Sequence, residues 1–423
     1  MGSDQNMPGK ATTLDGVTAV LLAGGRGSRM CELTDREAKP AIYFGGRNRM
    51  IDCTMANAAA SGVGRMIVAT QYRAETLHAL LPEKWGSLFG GDGLTLREGR
   101  TVTGKPSGYR GTADAVGANE PEIDASQPRE VLILAGDHVY QMDYRKLVAA
   151  HRASGAKATV AACTVPADQA SAFGVINASA SGRIDGFFEK PDVSPILAVQ
   201  PLRAMVSMGI YVFDWAWLKP ALRDDMANRA ASHDFGNDIL PRAVLEGVAY
   251  AWRHQDGGQD LYWSDVGTLD SYRLAQLAFE RADRPFSMAH LSGAPRRFSA
   301  LPDVSDGLQF GFALSIGGLS LRAPRHRPDV ADRWTLLSET VLLPGARLGA
   351  GVRLSKAIVG PRTSVPAGVV VGEDPDEDAR WFRRTDDGTV LITTAMIANR
   401  GLNRPRTFPA VTPGSRPRAA ARP

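Results

Sequence analysis

Cysteine is scarce in this chain of 423 residues: Cys31, Cys53 and Cys163 are odd in number and far apart, and no C-x-x-C pair is present. That excludes a disulfide framework and a cysteine zinc site, and buried free thiols are expected instead. No apolar run is long enough to cross a bilayer, and Met1 to Gly16 is polar, without the apolar stretch of a secretory leader. A soluble chain in a reducing, cytoplasmic setting is therefore expected, with residues 1–16 disordered. Charge of one sign is also limited. The formal net charge is +4, but the segment after Leu402 holds Arg404, Arg406, Arg416, Arg418 and Arg422 and no acid, so the rest is close to neutral. That argues against nucleic acid as a partner. No Ser-His-Asp or Cys-His pattern suggests a covalent nucleophile.

What is present is length enough for two or three domains and ample apolar content for a large core. Short apolar runs at Val17–Ala23, Arg65–Thr70, Val131–Ala135 and Ala158–Ala162 read as buried strands. Helix-length segments of mixed polarity separate them. Strand and helix in alternation predict an α/β domain with a mostly parallel sheet covered on both faces. Strand-like pieces at Gly174–Ile176, Arg183–Phe188 and Met208–Phe213 follow closely, which makes the sheet mixed.

Beyond about Leu277 proline and glycine become frequent and helical periodicity fades. Leu342, Leu348 and Leu354 are spaced by six, as are Ala346, Val352 and Ile358, and then Val359, Val365 and Val371. A six-residue apolar period predicts a left-handed parallel β-helix whose coils bury their apolar positions by stacking. The expected organisation is a disordered 1–16, an α/β domain over 17–277, a linker over 278–314, a β-helix over 315–400 and a disordered Arg/Pro/Ala-rich tail over 401–423.

The first strand runs into Leu22-Ala23-Gly24-Gly25-Arg26-Gly27-Ser28-Arg29. The glycine spacing is wrong for G-x-G-x-x-G, and no Gly-Lys-Ser/Thr ends the loop as in a Walker motif. The loop instead offers backbone N–H groups free of Cβ obstruction, with Arg26, Arg29 and Lys39 near in sequence. That set suits a polyphosphate whose charge rises during transfer.

The loop, followed by Ala38-Lys39-Pro40-Ala41, resembles the signature of nucleotidyltransferases that join nucleotides to sugar phosphates. Further strings narrow the likeness: Tyr109-Arg110-Gly111-Thr112-Ala113-Asp114-Ala115-Val116, Ala135-Gly136-Asp137-His138-Val139-Tyr140, Phe173-Gly174-Val175, Phe188-Glu189-Lys190-Pro191, Ser207-Met208-Gly209, Ser232-His233-Asp234-Phe235-Gly236 and Trp263-Ser264-Asp265-Val266-Gly267-Thr268. Together, from about Val17 to Asn399, they are similar to the bacterial glucose-1-phosphate adenylyltransferase family. The resemblance implies a Rossmann-like nucleotidyltransferase domain followed by a left-handed β-helix. It also implies transfer of the adenylyl group of ATP to glucose 1-phosphate, in support of glycogen or α-glucan synthesis.

By that resemblance, Leu22, Ala23, Gly24, Gly25, Gln71, Tyr109 and Gly111 hold the nucleotide. Gly174, Glu189, Lys190 and Ser207 hold glucose 1-phosphate, Lys190 on the phosphate and Glu189 on the sugar hydroxyls. Arg29, Lys39 and Asp137 serve the chemistry, and Asp137 with Asp265 holds Mg²⁺. His138 and His233 lie inside these strings but are assigned no catalytic role.

The family is commonly switched by anionic metabolites and is commonly a homotetramer. Arg36, Arg49, Arg380, Arg383 and Arg384 are the candidate effector cations; the alternative is ordinary surface arginine. Three departures bear on this. Glu37 stands where enterobacterial relatives place a cation, Tyr43 where they place histidine, and Gly108 where a tryptophan often precedes the tyrosine motif. The stretch Ser315–Trp334 also lacks clean early coils. A pyrophosphorylase of other nucleotide specificity, a non-catalytic regulatory subunit and a dehydrogenase are the rival readings.

Overall fold

The computed structural model describes residues 14–90, 92–192, 202–280, 284–287, 310–316, 319–324, 334–405 and 408. Residues 1–13 of the start expected to be disordered (1–16), much of the 278–314 linker, and 406–407 and 409–423 of the expected tail (401–423) lie outside the described residues; Leu14 is buried before the first strand, and Gly401 ends the helix Thr394–Gly401. The chain forms two compact units, one of Met1–Gly24 with Cys53–Trp263 and one of Gly25–Asp52 with Ser264–Pro423. It passes from the first to the second inside the glycine loop.

The first unit is built on strands β1 (Val17–Ala23), β2 (Met66–Thr70), β3 (Leu94–Glu98), β4 (Glu130–Ala135), β5 (His138–Tyr140), β6 (Ala158–Pro166), β7 (Gly174–Ala178), β8 (Ile184–Glu189), β9 (Arg203–Asp214) and β10 (Ala249–Arg253). The main sheet runs β10-β6-β9-β4-β1-β2-β3. β1 is parallel to β2 and β4, and β2 to β3. β9 is antiparallel to both β4 and β6, and the β7/β8 hairpin joins it through Val175 and Val206. The sheet is therefore mixed, with a parallel block around β1. Val131, Leu132, Ile133 and Leu134 are all fully buried, so β4 is covered on both faces and reads as an unbroken apolar run rather than an alternating one. Each such side chain contributes roughly 1.5–3 kcal/mol relative to exposure. β1 and β4 end together, and their ends carry Gly24 and Asp137, the edge at which α/β sheets present ligand-binding groups.

The second unit holds the strands Thr335–Ser338, Val341–Leu342, Arg347–Leu348, Arg353–Ser355, Ala357–Val359, Ser364–Val365 and Val370–Val371. These pair parallel as the coils of the left-handed β-helix: Leu337 beside Leu354, Leu354 beside Val371, Leu342 beside Val359, and Leu348 beside Val365. Each coil takes seventeen residues, because the corner between Leu354 and Val359 is one residue shorter than the six-residue spacing of the other sides. Leu337, Leu348, Leu354, Val359, Val365 and Val371 fill the coil interior. Before the first parallel rung, Phe310–Ile316 and Leu319–Pro324 form an antiparallel pair that joins Thr335–Ser338, in place of a regular early coil. Helix Pro375–Trp381 interrupts the coils, capped by Asp374, whose carboxylate accepts the N–H groups of Asp376 and Glu377.

Candidate active site

In the first unit, Gln71 follows β2 and clamps Tyr109 by both amide atoms. Its Oε1 accepts the Tyr109 N–H at 2.6 Å, and its Nε2 donates to the Tyr109 carbonyl at 3.2 Å. Gly24 lies against Gln71, where an added Cβ would sit 3.1 Å from the Gln71 Cβ. Gly108 has a positive φ of 67°, and a Cβ there would lie 2.7 Å from Gln71 Oε1. Glycine at that position is thus a local requirement of the Gln71 clamp. The Tyr109 hydroxyl donates to the Arg97 carbonyl and accepts from Asn119 Nδ2, and burial pushes its pKa up. Gly111 opens helix Thr112–Gly117, and a Cβ on it would lie 2.2 Å from the His233 carbonyl oxygen.

The Glu189 carboxylate, at the end of β8, is enclosed by two glycines: a Cβ on Gly174 would lie 2.9 Å from its Oε2, and one on Gly236 2.4 Å. Lys190 takes a left-handed φ of 43°, and its ammonium sits 2.7 Å from Glu189 Oε1 while remaining 63% exposed. The pair therefore has one half-buried member and one reaching outward. Ser207 is buried and its Oγ accepts the Gly209 N–H at 3.1 Å. Asp137 follows β4 with its carboxylate 3.7 Å from His138 Nε2. The indole of Trp263 packs edge-on against His138 and Phe173, and its buried Nε1 has no hydrogen-bond acceptor among the described residues. In the sequence Trp263 stands only as one letter of a longer string, and a lone tryptophan gives no signal of an unsatisfied N–H.

In the second unit, Gly27 has φ 62°, and a Cβ on it would meet the Lys39 Cβ at 2.7 Å. Thr34 ties the turn back by donating to the Gly27 carbonyl at 3.1 Å. The Lys39 ammonium is nearly buried, 3.6 Å from Asp265 Oδ1. Arg29 packs over Gly267, where an added Cβ would sit only 3.1 Å from Arg29 Nη2. Arg29, Lys39 and Asp265 are thus brought together in this unit. Asp265 and Asp137 each keep part of the carboxylate exposed, and such hard oxygen donors fit a divalent ion.

Of the five arginines suggested for effectors, three are engaged by other side chains of this chain. Arg49 binds Glu37 and lies over the Tyr43 ring, Arg383 binds Glu32, and Arg380 lies over Trp381. Arg36 and Arg384 are exposed.

A mixed sheet with a glycine loop after its first strand, continued by a hexapeptide β-helix, defines a nucleotidyltransferase, a class that generally uses divalent metal ions. Residues 18–282 match the nucleotidyl transferase family, and residues 328–392 match the GlmU-like C-terminal hexapeptide family. The chain is 40% identical to a glucose-1-phosphate adenylyltransferase of Rhodopseudomonas palustris over 90% of its length and 96% of the relative's. It is 38% identical to those of Novosphingobium aromaticivorans, over 90% and 96%, and Granulibacter bethesdensis, over 93% and 100%. The chain belongs to the glucose-1-phosphate adenylyltransferase family. Among the described residues, no helix is long and apolar enough to cross a membrane.

Proposed function

We propose that this enzyme transfers the adenylyl group of ATP to α-D-glucose 1-phosphate, giving ADP-glucose and pyrophosphate for glycogen or α-glucan synthesis. The observation that carries the reading is the gathering of Arg29 and Lys39 around Asp265, two cations with a carboxylate on glycine-rich backbone. A phosphate oxygen of glucose 1-phosphate attacks the α-phosphorus of ATP in line. The bond from that phosphorus to the oxygen bridging to the β-phosphorus breaks, and pyrophosphate leaves.

Leu22, Ala23, Gly24 and Gly25 supply backbone to the nucleotide, with Gln71, Tyr109 and Gly111 on the base side. Lys190 holds the sugar phosphate. Glu189 accepts from sugar hydroxyls in a pocket that includes Gly174 and Ser207. Arg29 and Lys39 take up charge that grows on the leaving pyrophosphate. Asp137 and Asp265 would hold Mg²⁺, which when bound neutralises phosphate charge. No proton relay is needed, because the attacking oxygen is already ionised.

Residues 315–400 are proposed as the regulatory and oligomerisation part. The β-helix has few coils, fewer than such stacks usually need to stand alone, which supports a homo-oligomer, a tetramer in this reading. Anionic metabolites as effectors and a cytoplasmic location complete it. The test is turnover with ATP, UTP, dTTP and GTP at fixed glucose 1-phosphate. ATP should be fastest, and faster use of another nucleotide would overturn the assignment.

A further inference from the structure

The segment Ser232–Gly236 touches both halves of the first unit's substrate machinery. On one side the His233 carbonyl accepts the N–H groups of Ala113 at 2.8 Å and Asp114 at 3.4 Å, so it fixes the start of the helix that follows Gly111. Thr112 Oγ1 donates to Asp234 Oδ2 at 2.8 Å and accepts the Phe235 N–H at 3.0 Å. Gly111 has no space for a Cβ beneath that same carbonyl. On the other side Gly236 closes directly on the Glu189 carboxylate. A shift of this segment by an ångström would move both contacts together.

The segment is anchored at two points: the Phe235 ring is buried against Tyr211 and Phe213, and His233 supplies the polar anchor. His233 adopts a left-handed φ of 60°, which histidine tolerates better than most side chains. Its ring is buried, with Nδ1 donating to Asp225 Oδ2 at 3.0 Å, and the Asp225 carboxylate is equally buried within helix Trp215–Ala227. After it, the Leu240 N–H reaches back to the Phe235 carbonyl, the wide i→i+5 turn that recurs at functional sites. Asp234 Oδ1 accepts the Gly236 N–H, and Asp238 accepts from the Ser232 hydroxyl and the Asp234 N–H. The local bonds make the segment stiff; Phe235 seats that stiff piece in the core, and the His233–Asp225 pair fixes its polar end to the helix Trp215–Ala227.

We infer that His233 and Asp225 are a positioning pair that couples the two substrates: by holding Ser232–Gly236 against both Gly111–Thr112 and Glu189, the pair makes occupation of the sugar-phosphate side tighten the nucleotide side. Reciprocity follows, since a coupling between two binding events acts equally in both directions. Neither side chain touches substrate in this account. The inference rests on the assignment of Gly111 and Glu189 to the two substrates in the proposed function.

The experiment measures dissociation constants for a non-reacting α,β-methylene ATP with and without glucose 1-phosphate, and the reverse, beside kcat and both KM values. The full-length wild type is compared with His233→Asn, Asp225→Asn and Thr112→Val. Asparagine accepts the left-handed backbone at 233 but cannot reach Asp225, and Thr112→Val cuts the link from the other end. The wild type should show a coupling of about fivefold or more. Each variant should bring that factor toward one and raise both KM values, with kcat at saturation changed less. No coupling in the wild type, unchanged coupling in variants of unchanged thermal midpoint, or a rise in only one KM would each overturn the inference. Failure of the wild type to make ADP-glucose would instead overturn the proposed function, so the two failures are distinguishable.

Discussion

Arg383 grips Glu32 with two parallel hydrogen bonds, Nη2 to Oε1 at 2.7 Å and Nε to Oε2 at 3.2 Å. Glu32 belongs to the turn Ser28–Thr34, which also carries Arg29, so an arginine of the strand Arg383–Arg384 braces the turn that presents Arg29. The pair is mostly buried, at 8% and 17% exposure. Cutting one member strands the other, which typically costs 3–5 kcal/mol when fully buried; the residual exposure of Glu32 lowers this to about 2–3 kcal/mol. Arg383→Ala should therefore lower the thermal midpoint by several degrees and reduce kcat. Arg383→Lys should recover only part, because an ammonium cannot make the fork. Equal activity and midpoint in all three proteins would remove the brace.

Arg49 is committed in the same way. Its Nη1 donates to the Ala41 carbonyl at 2.6 Å and to Glu37 at 2.9 Å, and the guanidinium lies 3.7 Å from the centre of the Tyr43 ring. These contacts hold both ends of the short turn Lys39–Ala41. Glu37 occupies Arg49 with a carboxylate of this chain's own, so anionic sugar phosphates should act weakly on the wild type. Glu37→Ala should open the site and raise the response to fructose 1,6-bisphosphate, in a salt-sensitive manner. Pyrophosphate release with and without effector measures it. A strong wild-type response at Arg49, abolished by Arg49→Ala, would contradict the account.

Gly108 stands where the family resemblance leads one to expect tryptophan, and a side chain there has no place to go. Its positive φ costs an L-residue about 1–2 kcal/mol, and any Cβ would press on Gln71 Oε1, 2.7 Å away. Restoring tryptophan by Gly108→Trp should break the Gln71–Tyr109 clamp, raising KM for ATP with little effect on that for glucose 1-phosphate. Gly108→Ala should do the same in milder form. Steady-state kinetics with each substrate varied separates the two, and an unchanged ATP KM in Gly108→Trp would defeat the argument.

Much of the architecture was legible because it repeats locally. The apolar run Val17–Ala23 is a strand buried on both faces, and the period through Leu342, Leu348 and Leu354 is the β-helix. The five-residue corner from Leu354 to Val359 was not read from the sequence, where only the six-residue spacings on either side of it stood out. What sequence did not disclose were relationships closed only by tertiary structure. Glu32 and Arg383 lie 351 positions apart, and nothing local distinguishes a clamping arginine from a solvated one. The same holds for Glu37 and Arg49, where the acid stands out in the sequence but its partner does not. The Asp374-Pro375 helix start carried a usable signal, an N-cap followed by proline at the first helical position, within a region whose glycine and proline content pointed elsewhere.

Trp263 packs its indole edge-on between His138 and Phe173. A buried N–H without an acceptor costs about 1–3 kcal/mol, and among the described residues Trp263 Nε1 is such a donor, on a ring packed against Phe173, the neighbour of Gly174. A protein keeps that cost where a ligand supplies the acceptor. Trp263→Phe retains an aromatic ring against His138 and Phe173 but removes the N–H. Its thermal midpoint without substrate should hold or rise, because an unsatisfied group has gone. Its KM for glucose 1-phosphate should rise about five- to tenfold, the worth of one hydrogen bond of about 1–1.5 kcal/mol. A contact made equally in ground and transition states leaves kcat nearly unchanged. If instead the midpoint falls and KM does not move, the indole serves packing alone and the donor has no substrate partner.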